Sequence, residues 1–300
     1  MFHTNILSTI GNTPLVQINK LNPDSKKHIY AKIEGVNPGG SIKDRIALKM
    51  IEQAESEGQL TKNKTIIEAT SGNTGIALAM IGTIKGYPVK IIMSKAVSQE
   101  RRTMIQAFGA KIILTDSTQG TDGAILKARS MVSNDPGKYF MPDQFSNKYN
   151  KLAHYETTAK EIWKQTNGQI DYFVSSIGTS GTLMGVGGYF KKMNPNIKIV
   201  SAEPIRDHYI QGLKNMAEAI VPSIYDSSQI DQVIQVESED AFETARQIIR
   251  QEGIFVGMSS GAAMWAAGQL AQTINSGTIV TIFPDRGEKY LSTGLFDKTK

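Results

Sequence analysis

Asn37-Pro38-Gly39-Gly40-Ser41-Ile42-Lys43-Asp44-Arg45 follows the β-branched run Ile29-Tyr30-Ala31-Lys32-Ile33 and opens a helical pattern over 41–57. Strand, tight glycine turn and helix in that order mark the carboxyl edge of an open sheet, where ligands sit. The serine predicts an N-cap. Lys43 is the unusual residue. It falls in the first helical turn, where exposed N–H groups carry partial positive charge and a further cation is locally unfavourable. A solvated surface lysine is the ordinary reading. The sharper one is an amine whose ammonium form is destabilised, which makes it a nucleophile. This segment alone leaves both readings open.

Working outward, the same alternation continues. Strands are expected over 65–68, 89–93, 111–114, 172–175, 197–202 and 278–283. Helices are expected over 74–85, 99–108, 122–132, 149–165, 183–192, 238–251 and 261–273. That spacing means an α/β fold of right-handed βαβ units, with parallel sheets covered on both faces. The helix-poor, proline-bearing stretch 203–234 reads as a long surface excursion, and loops of that length are usually functional. No internal repeat or linker-like tract appears, so any two domains are packed together.

A chain of 300 residues suggests two domains or one large one. Its 40% hydrophobic content excludes disorder as the dominant state. Cysteine is absent, which removes disulfides, thiolate nucleophiles and cysteine-based zinc sites and fits a reducing compartment. Met1-Phe2-His3-Thr4-Asn5 lacks the start of a signal peptide, and no apolar run nears the ~20 residues of a membrane span. The cytoplasm is the expected location. The net charge of +5 is dispersed, with no Arg-rich run, which argues against nucleic acid and for a mild field attracting small anions.

Three more segments follow expected strands. Glu68-Ala69-Thr70-Ser71-Gly72-Asn73-Thr74-Gly75 crowds hydroxyl and amide groups at a helix start. One cap needs one such residue, and the excess points to a carboxylate or phosphate. Val174-Ser175-Ser176-Ile177-Gly178-Thr179-Ser180-Gly181-Thr182 is the most specific phosphate signal: glycines let backbone close on an anion, and hydroxyls add donors. It is no Walker loop, because no lysine follows. Gly257-Met258-Ser259-Ser260-Gly261 matches the nucleophile elbow of serine hydrolases. That fold needs a histidine downstream, and the last one, His208, lies upstream. His3, His28, His154 and His208 have no metal-ligand spacing.

One candidate amine, one anion cup, one small polar loop and no metal cluster form a set that resembles the pyridoxal-phosphate enzymes of fold type II, specifically the cysteine synthase family. The likeness covers essentially the whole chain, from Gly11-Asn12-Thr13-Pro14-Leu15 to Arg286-Gly287-Glu288-Lys289-Tyr290-Leu291-Ser292-Thr293. It implies an α/β fold of two packed domains, similar to the tryptophan synthase β chain. One domain comprises 1–12 and 37–147; the other comprises 13–36 and 148–300 and carries the phosphate loop. Lys43 falls where the family's Schiff-base lysine sits. Asn73 falls where an asparagine meets the cofactor's ring oxygen. Thr70, Ser71, Gly72 and Thr74 fall in the loop that grips the substrate carboxylate, and Gln144 matches a glutamine near the substrate. Gly178, Thr179, Ser180, Gly181 and Thr182 match the phosphate cup, and Ser259 matches the partner of the pyridine nitrogen.

The resemblance implies pyridoxal 5′-phosphate, a homodimer, and β-replacement of O-acetylserine or O-phosphoserine by sulfide or thiosulfate. Serine with homocysteine (as in cystathionine β-synthase) and serine or threonine dehydration are the alternatives within the class. A non-catalytic anion-binding module is the alternative outside it. The stretch from Glu203 to Met216 looks like the B-type cysteine synthases, and Lys214 or Arg206 is expected to face an anionic leaving group. Asp285 departs from the A-type pattern and is expected to approach the cofactor ring.

Overall fold

The computed structural model describes residues 2–22, 24–70, 72–218 and 220–297. The strands are β1 (Leu15–Ile18), β2 (Lys27–Ile33), β3 (Thr65–Ala69), β4 (Val89–Ser94), β5 (Lys111–Thr115), β6 (Tyr139–Phe140), β7 (Tyr172–Ser176), β8 (Lys198–Pro204), β9 (Gln232–Val236) and β10 (Gly277–Phe283). The α-helices are α1 (Lys43–Ser56), α2 (Asn73–Lys85), α3 (Gln99–Ala107), α4 (Gly120–Asn134), α5 (Lys148–Ala153), α6 (Ala159–Gln165), α7 (Gly181–Met193), α8 (Ser238–Gln247) and α9 (Met258–Thr273).

Two sheets result. One is six-stranded, in the order β1-β2-β10-β7-β8-β9; the other is four-stranded, in the order β5-β4-β3-β6. Pairing is parallel throughout the second sheet and in the first except at β1, which runs antiparallel to β2. The parallel strands are apolar on both sides because helices cover both faces. Along β10, Ile279 and Phe283 enter the core beneath α8 and α9, whereas Val280 and Ile282 enter the core beneath α6 and α7. In the second sheet, Ile66 and Ile91 face α1 and α2, and Ile67 and Ile92 face α4. Helix α2 is buried almost all round, from Thr74 to Gly82, and behaves as an interior helix rather than an amphipathic one.

Three details differ from the sequence reading. The edge strand β9 lies within and just beyond the expected excursion; most of its residues are exposed, so it lacks the apolar run of a central strand. The expected helix 149–165 is interrupted by a π-helical turn, His154–Thr158. The N-cap of α1 is Ile42, not the serine; Ser41 Oγ instead accepts the Lys43 N–H at 3.2 Å.

Candidate active site

The segments singled out by the sequence converge at the carboxyl ends of β2, β3, β7 and β10. One cavity is lined by Lys43, Thr70, Asn73, Thr74, Gln144, Gly178, Thr179, Ser180, Gly181, Thr182 and Ser259. Ser71 lies outside the described residues. Gly72 does not line the cavity. It is the N-cap of α2, at φ 134°, and its N–H donates to Thr70 Oγ1 at 3.0 Å.

Lys43 begins α1. Burial is the main cause that brings its ammonium down to about 8, against the opposing pull of Asp285 and Glu34. Its side chain stays partly accessible because it lines the cavity. The turn before it is held by Asp44, whose Oδ2 accepts the Gly39 N–H at 2.5 Å. A Cβ on Gly39 would stand 2.4 Å from Asp44 Oδ1, so only glycine fits this turn. Behind α1, the Arg45 guanidinium is pinned between two carboxylates. It donates to Glu34 at 2.7 and 2.8 Å and to Glu161 at 2.6 and 2.8 Å. Lys32 closes the group, with Nζ 2.8 Å from Glu161. Burial opposes ionisation of Glu161, but Arg45 and Lys32 outweigh it and hold the carboxyl at about 2.

The anion cup is the start of α7. Ser180 is the N-cap at φ 67°, a left-handed conformation costly for a non-glycine residue. Its buried Oγ has no hydrogen-bond partner. The first N–H groups of any α-helix lack intrahelical acceptors, so this turn offers backbone and hydroxyl donors to an anion. Asn150 supports the cup, donating to Thr179 Oγ1 at 3.0 Å. On the far wall, Gln144 is fixed from both ends. Its Oε1 accepts from Thr74 Oγ1 at 2.7 Å and its Nε2 donates to Ala69 O at 3.0 Å.

Asp285 does not enter the lining. Its Oδ2 accepts from Asn73 at 2.7 Å, Tyr290 at 2.9 Å and Arg101 at 3.2 Å. Those three donors hold the Oδ2 side of the carboxylate, and Ser259 rather than Asp285 is in the cavity lining. The long excursion does reach the site. Tyr209, Gln211, Gly212, Leu213 and Lys214 line it, with Lys214 Nζ 2.8 Å from Asp122. Arg206 is exposed and lies outside the lining, so of the two cations expected from this stretch it is Lys214 that lines the cavity. Sequence reasoning also missed Gln211, whose buried Oε1 has no partner, and His154. His154 contacts Thr158 at 2.9 Å and the cup residue Thr182 at 3.3 Å. Burial, reinforced by the Lys43 charge, keeps this imidazole neutral. The only signal for His154 was a polar ring on a helical face, which many core histidines share.

A low-pKa lysine at one strand end, facing an anion cup at another in an α/β framework, defines the class: a fold-type II pyridoxal-phosphate enzyme. The chain belongs to this family, since the model described as pyridoxal-phosphate dependent enzyme matches residues 6–285. It is 50% identical over 299 residues to a cysteine synthase of Aquifex aeolicus, covering 97% of this chain and 91% of that protein. It is 45% identical to cysteine synthase B of Salmonella typhimurium, covering 96% and 94%. The crystal structure of O-acetylserine sulfhydrylase isoform 3 from Entamoeba histolytica superposes with a TM-score of 0.92 at 41% identity, covering 100% and 93%.

The residues present fit pyridoxal 5′-phosphate. The orphaned Ser180 Oγ and the free donors at the start of α7 suit a phosphate dianion. Lys43 would supply the amine, and among the described residues no carboxylate stands in the lining to repel the anion. Among the described residues, no helix is long and apolar enough to cross a membrane.

Proposed function

We propose that the chain is a cysteine synthase that replaces the β-substituent of O-acetylserine or O-phosphoserine with a sulfur nucleophile. The observation that carries this is the shared cavity: Lys43, Thr70, Asn73, Thr74 and the Gly178–Thr182 cup line one space. When bound, pyridoxal phosphate supplies the electron sink. Lys43 would hold the cofactor through its Nζ, the amine that lines the cavity. The freed amine, with its pKa brought down to about 8, is suited to take the α-proton near neutral pH and later return it. The cup residues Gly178 to Thr182 hold the phosphate. Thr70, Thr74 and Gln144, with Ser71 and Gly72 in the same loop, hold the substrate carboxylate. Ser259 would stand by the pyridine nitrogen, where a hydroxyl would not hold a ring proton as a carboxylate would; that suits loss of the β-substituent.

In the net reaction, the Cβ–O bond of O-acetylserine breaks and acetate leaves with its electron pair. Sulfide forms the Cβ–S bond, and the α-proton removed is restored. Lys214 is the cation placed to meet an anionic leaving group or thiosulfate, because it lines the cavity with only Asp122 as its carboxylate partner. The proposal includes a homodimer, tested by light scattering, and a cytoplasmic location, supported by the absence of cysteine.

The test is a spectral titration of the purified chain with O-acetylserine, O-phosphoserine and serine in turn, followed by product analysis with sulfide. The expected result is a yellow protein whose visible band responds to an activated serine, and cysteine as product. Lys43→Ala is expected to abolish turnover. A colourless protein, or a fully active Lys43→Ala variant, would overturn the proposal. Response to serine with homocysteine alone would move it to the cystathionine-forming alternative.

A further inference from the structure

Lys289 is one of several buried cations that the chemistry above leaves unused. Lys289, in the segment after β10, is wholly buried. Its Nζ donates to Gly39 O at 3.1 Å, Gly40 O at 2.8 Å and Asn73 Oδ1 at 3.1 Å. An ammonium has three N–H donors and no acceptor, so all three are engaged. Two of the acceptors belong to the turn that launches α1 and Lys43. The third is the first residue of α2. On its other side, Asn73 Nδ2 donates to Asp285 Oδ2 at 2.7 Å. The Asn73 carboxamide therefore lies between a group that only donates and a group that only accepts. That arrangement settles which end is oxygen, which coordinates alone leave open. Reversed, the amide would set N–H against ammonium and C=O against carboxylate. One Nδ2 proton has no protein acceptor among the described residues, and Asn73 lines the cavity.

We infer that Lys289 is a positioning residue: with Asp285 it clamps the Asn73 carboxamide so that one N–H is held toward an oxygen acceptor on the cofactor ring. The same ammonium ties this donor to the turn carrying Lys43, so the two cofactor contacts move together. The inference rests on the pyridoxal-phosphate reading above. The charges around Lys289 are balanced for this role. Burial and Arg101 press its ammonium down, to about 8, while Asp285, Asp44 and Glu288 support it.

The test is a double-variant cycle on the full chain, read by titration with pyridoxal 5′-phosphate and by the position of the visible band. Lys289→Met is expected to weaken cofactor binding about tenfold, the value of one well-oriented hydrogen bond, and to shift the band. Lys289→Arg, still a donor-only cation, is expected to retain most of the affinity. In an Asn73→Ala background, Lys289→Met is expected to add no further loss. Unchanged affinity and band in Lys289→Met would overturn the clamp, as would an equal loss with and without Asn73. Lys289→Gln, which lacks the fixed polarity, serves the same cycle if the methionine variant fails to fold. A wild-type chain that binds no pyridoxal phosphate would instead overturn the underlying reading, and the clamp with it.

Discussion

Replacing Arg45 with methionine tests how much the buried ion group behind α1 contributes to stability. Arg45 makes four short hydrogen bonds to the Glu34 and Glu161 carboxylates, and its side chain is 1% exposed. The wild-type group of Arg45, Lys32, Glu34 and Glu161 is neutral, at two positive against two negative charges. Removing Arg45 leaves one buried negative charge without compensation. Breaking a buried pair from one side typically costs about 3–5 kcal/mol. At roughly 2–4 °C per kcal/mol for a chain of this size, the melting temperature should fall by about 6–20 °C. Adding Glu34→Gln restores neutrality and should recover about half the loss.

The group also sets an acid limb. Glu161 is held at about 2, below its ordinary 4.5. Its contribution is therefore fully present above the ordinary value and is lost as pH falls towards the folded one. Differential scanning calorimetry and urea unfolding at several pH values read both effects. A loss below about 1 kcal/mol for Arg45→Met, the level of an exposed pair, would refute the reasoning. So would a double variant no more stable than the single one.

Three further outcomes are expected. The rate of α-proton removal should fall at acid pH, because only the uncharged Lys43 amine takes the proton and burial favours that form; rapid-mixing absorbance checks this, and a flat profile from about pH 6 to 9 contradicts it. Lys214→Ala should lower turnover with O-phosphoserine or thiosulfate more than with O-acetylserine and sulfide, about tenfold for one lost charge-assisted contact, while Arg206→Ala changes neither; steady-state kinetics on paired substrates decides. Gly178→Ala should loosen the cup, since its Cβ would stand 2.4 Å from Gly212 O. Overpacking of that kind costs about 1–3 kcal/mol, and faster cofactor loss on dialysis with a lower melting temperature is the measurable result.

Much of the framework was legible because its signals are local. The runs at 65–68 and 172–175 read as strands, and the glycine- and hydroxyl-rich turns after them announced their strand ends. β1 and β9 were less visible, since edge strands with exposed residues lack an apolar run. The π turn at His154 was invisible for another reason: it is a single turn of five residues, too short to register in a hydrophobic periodicity.

The sequence by itself determined the α/β class, the lysine, the polar loop and the anion cup, because each is written in a few adjacent residues with their own steric and hydrogen-bonding demands. Only the tertiary structure decided that these segments share one cavity, that Asp285 accepts from Asn73 and Arg101, and that Lys289 reaches Asn73 from 216 positions away. Such contacts depend on how two sheets are set against each other. The direction of a buried charge is fixed by whichever partners that packing delivers, and no local pattern encodes them.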